Sequence, residues 1–509
     1  MFRENETLLT GGNGFLGKVI LAMLLDRYPD LKHLHVLLRP GRNLSAAERF
    51  ENEVMASPVM ASLVTRRGES FVREKISVWP GELSRPDCGL DGPALAEIAT
   101  RVRLIINCAG KVEFFPPVDE SLESNVNGVE NSIALARRAG ARLLHVSTSF
   151  VSGEANGLIE ETEPILGFYP HRKGLDDNAF DALHELAYCR EQIGLIAETD
   201  GAENSGGRSR EVAQKLVALG KRRAEHWGWV NTYTYSKSLG EQLIAREKDL
   251  DWAIVRPAIV ESALRFPFPG WIEGGRTAAP LVLMAMGGLK HWPVRRNTPL
   301  EVVPVDLVAA AILTVGGLLF DGRAENVYQL GTADVNPIRL GPLVQLLRKE
   351  ARKRTGRNGG GLPIRISASR GRARFVSAEE ARARRQKLEK RMQRAQAILD
   401  RMHSALKNAG LPGRKSLASW QSALRTLGLQ ARFREQTLDQ YLPFILHNRY
   451  IFESENIRRA YRQISEKDKM LLPWDPERIH WKNYWIHHQI EGIEKWIQPE
   501  AVKEWAFKI

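Results

Sequence analysis

The chain has 509 residues, which is enough for two or more domains with a sizeable buried core. Its hydrophobic content of 43% and charged content of 26% are ordinary for a soluble globular protein. The three cysteines, Cys88, Cys108 and Cys189, are too few for a disulfide scaffold and lack the paired spacing of zinc ligands. We therefore expect a reducing, cytoplasmic setting, no metal site and, from the charged N-terminus, no signal peptide.

The net charge of +13 is concentrated in one region of the chain. Residues 348–415 hold 21 Lys and Arg residues but only 5 Asp and Glu residues, so the remainder is slightly acidic. The basic character therefore belongs to one segment and does not describe the whole protein.

The N-terminal part alternates strand and helix patterns, beginning with the strand "TLLTGG" and the helix "GKVILAMLLDRY". Further buried strands are predicted at "LKHLHVLLRP", "KISVWPGEL", "VRLIINCAG" and "RLLHVSTSFVSG", with helices at "ALAEIAT" and "VNGVENSIALARRA". Such alternation predicts an α/β fold built on a parallel, doubly wound sheet. A helical insertion at about 170–230, with a "GAENSGG" loop, precedes the later predicted strand "DWAIVRPAIV".

The apolar stretch at 302–320 is nearly long enough to be mistaken for a membrane span. It contains Pro304 and Asp306, and a carboxylate inside a bilayer is costly. We therefore interpret it as a buried strand end followed by a core helix.

The character of the sequence changes near residue 346. Residues 350–375 are rich in Arg and Gly and predict a loop, and 378–408 predict an amphipathic helix with a basic outer face. Its apolar positions are Leu388, Met392, Ala395, Leu399, Met402 and Leu406. Short helices are expected from 416 to 509. This gives three predicted domains, 1–345, 346–415 and 416–509, of which the last is a smaller, mostly helical one.

Glycines recur at every third position after the first predicted strand, in "TGGNGFLG". Gly11, Gly14 and Gly17 permit a tight turn and let the backbone approach a pyrophosphate, and the helix N-terminus offers free N–H groups to the anion. In this strand–turn–helix context the motif predicts a dinucleotide site. The second strand ends in "VLLRPGRN", where Arg39 and Arg42 replace the carboxylate that selects NAD, so we predict NADPH.

Three further side chains predict a site for carbonyl reduction. Thr148 follows a buried strand, whose carboxyl end faces the ligand crevice of such a sheet, and its hydroxyl would orient the carbonyl oxygen. Tyr233 and Lys237 lie four residues apart on one helix face, and an ammonium beside a phenol lowers the phenol's pKa. Tyr233 would donate the proton. Lys237 would lower the pKa of Tyr233 and hold the nicotinamide ribose.

These motifs together resemble the extended short-chain dehydrogenase/reductases, which have a Rossmann-like fold, and more narrowly the alcohol-forming fatty acyl-CoA reductases with a male-sterility-type NAD-binding domain. The stretches that carry the resemblance are "TGGNGFLGK", "INCAGKVEF", "ESNVNGVENSI", "VSTSFVSG", "YTYSK" and above all "VRPAIVESALRFPFPGWIEG". A later segment, "LDQYLPFILHNRYIFESENIRRAY", is similar to the C-terminal part of those reductases. The resemblance covers about 1–345 and 430–480.

The resemblance implies roles for residues of the matched motifs. The catalytic hydroxyl falls on Thr148, ahead of Ser147, the acid and its lysine fall on Tyr233 and Lys237, and Asn125 is a structural asparagine. The implied cofactor site is formed by Thr10, Gly11, Gly14, Phe15, Leu16, Gly17, Arg39, Arg42, Glu82, Leu83, Asn107, Ala109, Lys237, Pro257 and Ile259. Glu82 stands where relatives often have aspartate, which leaves its contact with adenine open.

The implied function is NADPH-dependent reduction of a long-chain fatty acyl-CoA or acyl carrier protein thioester to the alcohol through the aldehyde. A thioester reductase that releases the aldehyde would use the same residues, and a sugar-nucleotide or sterol-type dehydrogenase shares the fold. A non-catalytic protein that senses NADPH or tethers to a membrane would not need the proton donor.

The basic segment leaves several interpretations open. It is a solvated helix, or it attracts anionic lipid headgroups in a peripheral membrane contact, the phosphates of CoA, or an acidic carrier protein. No aromatic platform is interleaved with the charges, so we expect no nucleic-acid partner.

Overall fold

A computed structural model of the chain describes residues 2–162, 164–174, 176–198, 208–274, 277–356, 372–408 and 414–497. The "GAENSGG" loop and most of the predicted Arg- and Gly-rich loop lie outside the described residues. The chain forms two compact units, both discontinuous in sequence. The first unit comprises Met1–Arg276, Glu301–Pro337 and Tyr450–His480, and the second comprises Thr277–Leu300, Ile338–Arg449 and Trp481–Ile509.

A parallel sheet of seven strands forms the centre of the first unit. The strands are β1 (Glu6–Thr10), β2 (Leu34–Leu38), β3 (Ile76–Pro80), β4 (Val102–Asn107), β5 (Arg142–Val146), β7 (Trp252–Pro257) and β12 (Val327–Leu330). They are ordered β12-β7-β5-β4-β1-β2-β3, and every neighbouring pair is parallel. The chain winds outward in both directions from β1, so the predicted doubly wound α/β fold is confirmed.

Helices cover the sheet of the first unit. They are α1 (Phe15–Arg27), α2 (Ala46–Arg49), α3 (Pro58–Arg67), α4 (Glu69–Lys75), α5 (Gly92–Arg101), α6 (Val118–Leu122), α7 (Gly128–Ala139), α8 (Ala182–Glu198), α9 (Arg210–Trp227), α10 (Thr232–Ala245), α12 (Val305–Phe320), α16 (Glu455–Gln463) and α17 (Glu466–Leu471). The predicted helical insertion corresponds to α8 and α9.

Local sequence explains where several helices begin and end. The side chain of Asp91 accepts a hydrogen bond from Ala94 N (2.8 Å) at the start of α5, and Asn231 accepts from Thr234 N (2.8 Å) at the start of α10. Helix α7 ends at Gly140, which has a φ of 56°, in the left-handed region that glycine adopts without strain.

The apolar stretch at 302–320 folds as predicted from the sequence. Val302–Pro304 form β11, which pairs with β8 (Ile259–Glu261), and α12 follows directly. The Asp306 carboxylate accepts hydrogen bonds from the backbone N–H groups of Leu264, Arg265 and Phe266, which is why a charge is tolerated there. Among the described residues, no helix combines the length and apolar character needed to cross a membrane.

Residues 450–480 pack into the first unit although they lie far along the chain. Strand β15 (Arg449–Phe452) pairs with β6 (Asn156–Ile159). The buried Glu301 carboxylate accepts hydrogen bonds from the backbone N–H groups of Phe452 (2.8 Å), Thr332 (3.0 Å) and Ala333 (3.2 Å). This carboxylate therefore connects the C-terminal strand to the loop that follows β12.

The second unit is mostly helical. Its helices are α11 (Ala279–Met286), α13 (Leu340–Gly356), α14 (Ala378–Asn408), α15 (Arg414–Leu442) and α18 (Trp481–Asn483), and its short strands are β9 (His291–Trp292), β10 (Pro299–Leu300), β13 (Ile338–Arg339) and β14 (Arg374–Phe375). The predicted amphipathic helix at 378–408 matches α14. The expectation of short helices from 416 is wrong for 414–442, which form one helix of 29 residues.

Candidate active site

The glycine turn between β1 and α1 leaves no room for side chains. Gly11 has a φ of 68°, and a Cβ there would lie 2.8 Å from the backbone N of Ala109. A Cβ on Gly17 would lie 2.1 Å from Gly11 O, so the first turn of α1 packs directly against the loop backbone. The turn is held by Gly14 N, which donates to Gly11 O at 3.0 Å. These contacts require glycine at both positions.

The N-terminus of α1 fits a bound pyrophosphate. Gly14 caps the helix without a side-chain hydrogen bond, and the first turn contains no acidic residue. The N–H groups there remain available to an anion, and the helix dipole favours negative charge. Phe15 packs on Trp271, with 5.0 Å between ring centroids, and Leu16 follows it in the first turn, partly buried.

Two predicted cofactor residues connect the carboxyl ends of β1 and β4, which lie side by side. Thr10 is paired with Asn107 in the parallel register, and its hydroxyl donates to Asn107 Oδ1 at 2.8 Å. The same hydroxyl accepts a hydrogen bond from Ala109 N at 3.2 Å. Together they fix the loop after β4 beside the glycine turn.

The predicted 2′-phosphate residues lie at the exposed end of β2. Arg39 and Arg42 are both exposed. The Arg39 Nε lies 3.3 Å from Glu82 Oε2, so the predicted adenine-side carboxylate forms an ion pair with a predicted phosphate ligand. Leu83 points elsewhere, and a Cβ on Gly128 would lie 3.3 Å from its Cδ2. Leu83 therefore packs against the start of α7.

Thr148 and Tyr233 meet at the carboxyl end of β5, as the proposed chemistry requires. The Thr148 hydroxyl lowers the pKa of the Tyr233 phenol, against the larger effect of burial, so the two groups are neighbours. Thr148 is only 5% exposed, and its hydroxyl also lies 3.4 Å from Pro257 O, at the end of β7. Ser147, the alternative candidate, is buried, and its hydroxyl has no hydrogen-bond partner within the described structure.

Lys237 does not act on the phenol in the way that its sequence spacing suggests. Its Nζ donates to Val146 O at 2.7 Å and lies 3.1 Å from His145 Nε2. Burial lowers the pKa of Lys237 to about 8, while the carboxylate of Glu241 and the thiol of Cys108 raise it. Burial also raises the pKa of Tyr233 above its usual value, so the expected lowering of that pKa is wrong for this structure. The phenol therefore stays protonated and able to donate.

His145 is a site residue that the sequence reasoning missed. Its side chain is buried in β5, and burial together with the charge of Lys237 holds its pKa well below the usual value. The imidazole is thus neutral and accepts from the Lys237 ammonium through Nε2, while Nδ1 is buried without a partner in the described residues. The signal was present in "RLLHVST", where a histidine interrupts an apolar strand two residues before Ser147.

The remaining predicted residues support the site from its edges. Asn125 accepts a hydrogen bond from Lys111 N (2.9 Å) and donates to the Ser236 hydroxyl (2.9 Å), so it connects the loop after β4 to α10. Ile259 begins β8, and its N–H donates to Glu301 O at 3.1 Å. Within the described residues, no group of His, Cys, Asp or Glu side chains is arranged to hold a metal ion.

The sequence and fold can be compared with those of known proteins. The family described as "Male sterility protein" matches residues 9–312, which include every predicted catalytic and cofactor-binding residue. The chain is 28% identical over 510 residues to "Alcohol-forming fatty acyl-CoA reductase" of Simmondsia chinensis, covering 97% of both chains. It is 33% identical over 351 residues to "Probable fatty acyl-CoA reductase 4" of Arabidopsis thaliana, covering 66% of this chain and 69% of the relative.

A solved structure supports the same fold. The reductase (R) domain of a non-ribosomal peptide synthetase from Mycobacterium tuberculosis aligns with a TM-score of 0.51 over 96% of this chain and 91% of that domain. The sequence identity is 19%, so the likeness bears on the fold alone.

Proposed function

The chain belongs to the male sterility protein family of fatty acyl-CoA reductases, and from this premise we propose that it reduces a long-chain fatty acyl thioester to the fatty alcohol through the aldehyde. The observation that carries the proposal is that the Tyr233 phenol and the Thr148 hydroxyl are neighbours at the carboxyl edge of the sheet, where Thr148 influences the pKa of the phenol. A dinucleotide-binding turn, a proton donor and a hydroxyl that orients an oxygen then lie within one unit.

Tyr233 and Thr148 would bind the thioester carbonyl oxygen through their two hydroxyls. As that oxygen gains negative charge, both hydrogen bonds strengthen, and this lowers the barrier more than it stabilises the bound substrate. Tyr233 then donates its proton to the oxygen. Because burial raises the pKa of Tyr233, the phenol is protonated throughout the physiological range.

Lys237 would supply a positive charge beside the same oxygen and hold the ribose of the cofactor. Its ammonium is fixed by Val146 O and His145 Nε2, which set its direction. Val146 O and His145 Nε2 take up two of the three N–H donors of the ammonium, which leaves one for the ribose.

The cofactor would be NADPH, which supplies hydride when bound. Arg39 and Arg42 at the end of β2 are exposed cations suited to a 2′-phosphate, and no carboxylate occupies the equivalent place on the strand end itself. Glu82 would compete with the 2′-phosphate for Arg39, because the two side chains form an ion pair. Arg42 is therefore the main candidate to bind the phosphate.

The substrate would be the thioester of CoA or of an acyl carrier protein, and the same three residues would serve both reductions. After the first reduction the thiol leaves, and the aldehyde carbonyl occupies the place of the thioester carbonyl. Tyr233 would donate a proton again in the second reduction, which requires that its phenol be reprotonated between the two steps.

The test is product analysis by gas chromatography, with NADPH and a series of acyl-CoAs, on the wild-type protein and on Tyr233→Phe. We expect wild type to produce fatty alcohol and Tyr233→Phe to lose at least about 100-fold of the rate in both steps. Tyr188→Phe is the matched control, because Tyr188 is 41% exposed on α8 in the first unit and should leave the rate unchanged.

Other outcomes would change the conclusion. Aldehyde as the final product would assign a reductase that stops after one step. NADPH oxidation that does not depend on any acyl thioester, or full activity of Tyr233→Phe, would reject the proposed site.

A further inference from the structure

Helices α14 and α15 form an antiparallel hairpin in the second unit. Arg385 near the start of α14 forms ion pairs with Glu435 (3.0 Å) and Asp439 (2.8 Å) near the end of α15. Further along, Asp400 accepts a hydrogen bond from Gln421 Nε2 at 2.7 Å. As the residue number rises along one helix it falls along the other, so the two helices run in opposite directions.

One face of α14 is an exposed basic stripe. Lys387, Arg391, Arg394, Ile398 and Arg401 follow one another at intervals of three or four residues, and all are exposed. The four cations of this stripe form no ion pair within the described part of the chain. The half-buried side chains Met392, Ala395 and Leu399 lie on another face of the helix.

Three large apolar side chains stand exposed at one level of the hairpin. Ile398 is 56% exposed, Met402 is 49% exposed and Trp420 is 69% exposed. Ile398 and Met402 lie one turn apart on α14, and the hydrogen bond between Asp400 and Gln421 places Trp420 of α15 at about the same height; we call these three side chains the apolar cluster. Exposed aliphatic and indole side chains beside exposed cations are the side-chain types that bind a lipid interface.

We propose that this hairpin binds peripherally to the surface of an anionic lipid bilayer. The basic stripe would contact the headgroups, and the apolar cluster would enter the interface, where the amphipathic ring of tryptophan is favoured. The inference is independent of the proposed reductase function. It does not require a membrane-crossing segment, only a basic helix face with apolar anchors.

Charge and polarity argue against three other binding partners for this surface. A second copy of the same hairpin would bring like charges together around the apolar cluster. A nucleic acid would use the cations but would leave Ile398 and Met402 against water. An acidic carrier protein would satisfy the stripe, but it would bury an exposed indole less readily than a bilayer interface.

The test is co-sedimentation of the full-length protein with vesicles of phosphatidylcholine alone and of phosphatidylcholine mixed with phosphatidylglycerol. We expect binding to the anionic vesicles only, weakened by salt. Reversing three charges of the stripe (Lys387→Glu, Arg391→Glu, Arg394→Glu) should weaken it at least about tenfold. Replacing the apolar cluster (Ile398→Ser, Met402→Ser, Trp420→Ser) should weaken it to a similar degree.

A matched charge reversal on α9 controls for net charge. Arg210→Glu, Lys215→Glu and Arg222→Glu change the same number of exposed cations in the first unit and should leave vesicle binding within about twofold of wild type. Both hairpin variants should keep the melting temperature of the wild-type protein, which excludes misfolding as the cause. The proposal would be overturned if the folded hairpin variants kept wild-type vesicle binding or if the α9 variant lost it equally. It would also be overturned if wild type did not bind the vesicles, or bound an acyl carrier protein more tightly than the vesicles.

Discussion

The amine of Lys237 is hydrogen-bonded to the imidazole of His145, with 3.1 Å between Nζ and Nε2, and both side chains are buried. The imidazole is neutral, since burial and the adjacent ammonium hold its pKa well below the usual value. His145 therefore positions the lysine, and it does so from the strand that also carries Thr148 after its end.

Replacing His145 with leucine should lower kcat by about tenfold, because the buried ammonium loses an acceptor and its direction. His145→Gln keeps an acceptor on a side chain of similar reach and should retain most of the rate. Steady-state kinetics of both variants across pH will check this. If His145→Leu matched wild type in kcat and in its pH profile, His145 would have only a packing role.

The reaction should show an alkaline limb near pH 8. Burial lowers the pKa of Lys237 from 10.5 to about 8, so the ammonium is present below that pH and is lost above it. The measurement is kcat/KM between about pH 6 and pH 10, which reports groups of the free enzyme. The limb should move to lower pH in His145→Leu, since removing the acceptor disfavours the ammonium. A flat profile through this range would contradict the role given to Lys237.

Gly17→Ala should lower the melting temperature by several degrees and abolish cofactor binding. The new Cβ would lie 2.1 Å from Gly11 O, and moving the backbone away to relieve this clash would cost considerable folding free energy. Gly92→Ala is the control, because a Cβ on Gly92 at the start of α5 meets no atom within 4 Å. Thermal unfolding and titration with NADPH will measure both, and a tolerated Gly17→Ala would mean that the turn can rearrange.

Arg42→Ala should weaken NADPH binding by about tenfold and leave NADH binding unchanged, as expected for a cation that contacts only the 2′-phosphate. Arg39→Ala should have a smaller effect because Arg39 already pairs with Glu82. Glu82→Gln should strengthen NADPH binding by freeing Arg39. Cofactor fluorescence titrations with both dinucleotides decide this, and equal losses for NADH would remove the case for a phosphate site.

The contribution of two buried carboxyl groups to folding stability should fall as pH rises toward neutrality. Burial raises the pKa of Glu301 to about 7 and that of Glu161 to about 7, against an ordinary value of 4.5. Between those values the folded protein binds protons that the unfolded chain has released. The stabilisation is therefore complete below about pH 4.5 and is lost as pH rises through about 7, with up to about 3 kcal/mol for each group.

Melting temperatures between about pH 5 and pH 8 will test this dependence. Glu301→Gln cannot titrate and should make the slope of melting temperature against pH more positive than in wild type, whereas Glu211→Gln, on an exposed part of α9, should not alter it. An unchanged slope in Glu301→Gln would show that this carboxyl does not contribute.

The parts of the fold that follow from local patterns could be predicted from the sequence. The glycine turn, the buried strands and α12 each depend on neighbours within about 20 residues. Proline and aspartate inside an apolar stretch were enough to separate α12 from a membrane span, and the structure shows three backbone N–H groups satisfying that aspartate.

The parts that depend on tertiary packing could not be predicted. A spacing of four residues puts Tyr233 and Lys237 on one helix face, but it does not reveal that β5 supplies two acceptors to the amine. Helix α15 continues through Gly428, a residue that disfavours helix, at a point where a Cβ would lie 3.0 Å from Met392 Cε. Packing against α14 therefore overrides the local preference.

The return of residues 450–480 to the first unit has a consequence for biosynthesis. The ribosome must complete most of the chain before the partner strand of β6 and the backbone donor of Phe452 for Glu301 exist. A protein truncated after the apparent end of the nucleotide-binding region would leave that carboxylate with one donor fewer and β6 without its partner. We therefore expect a fragment that ends before residue 450 to fold less stably than a chain that includes residues 450–480.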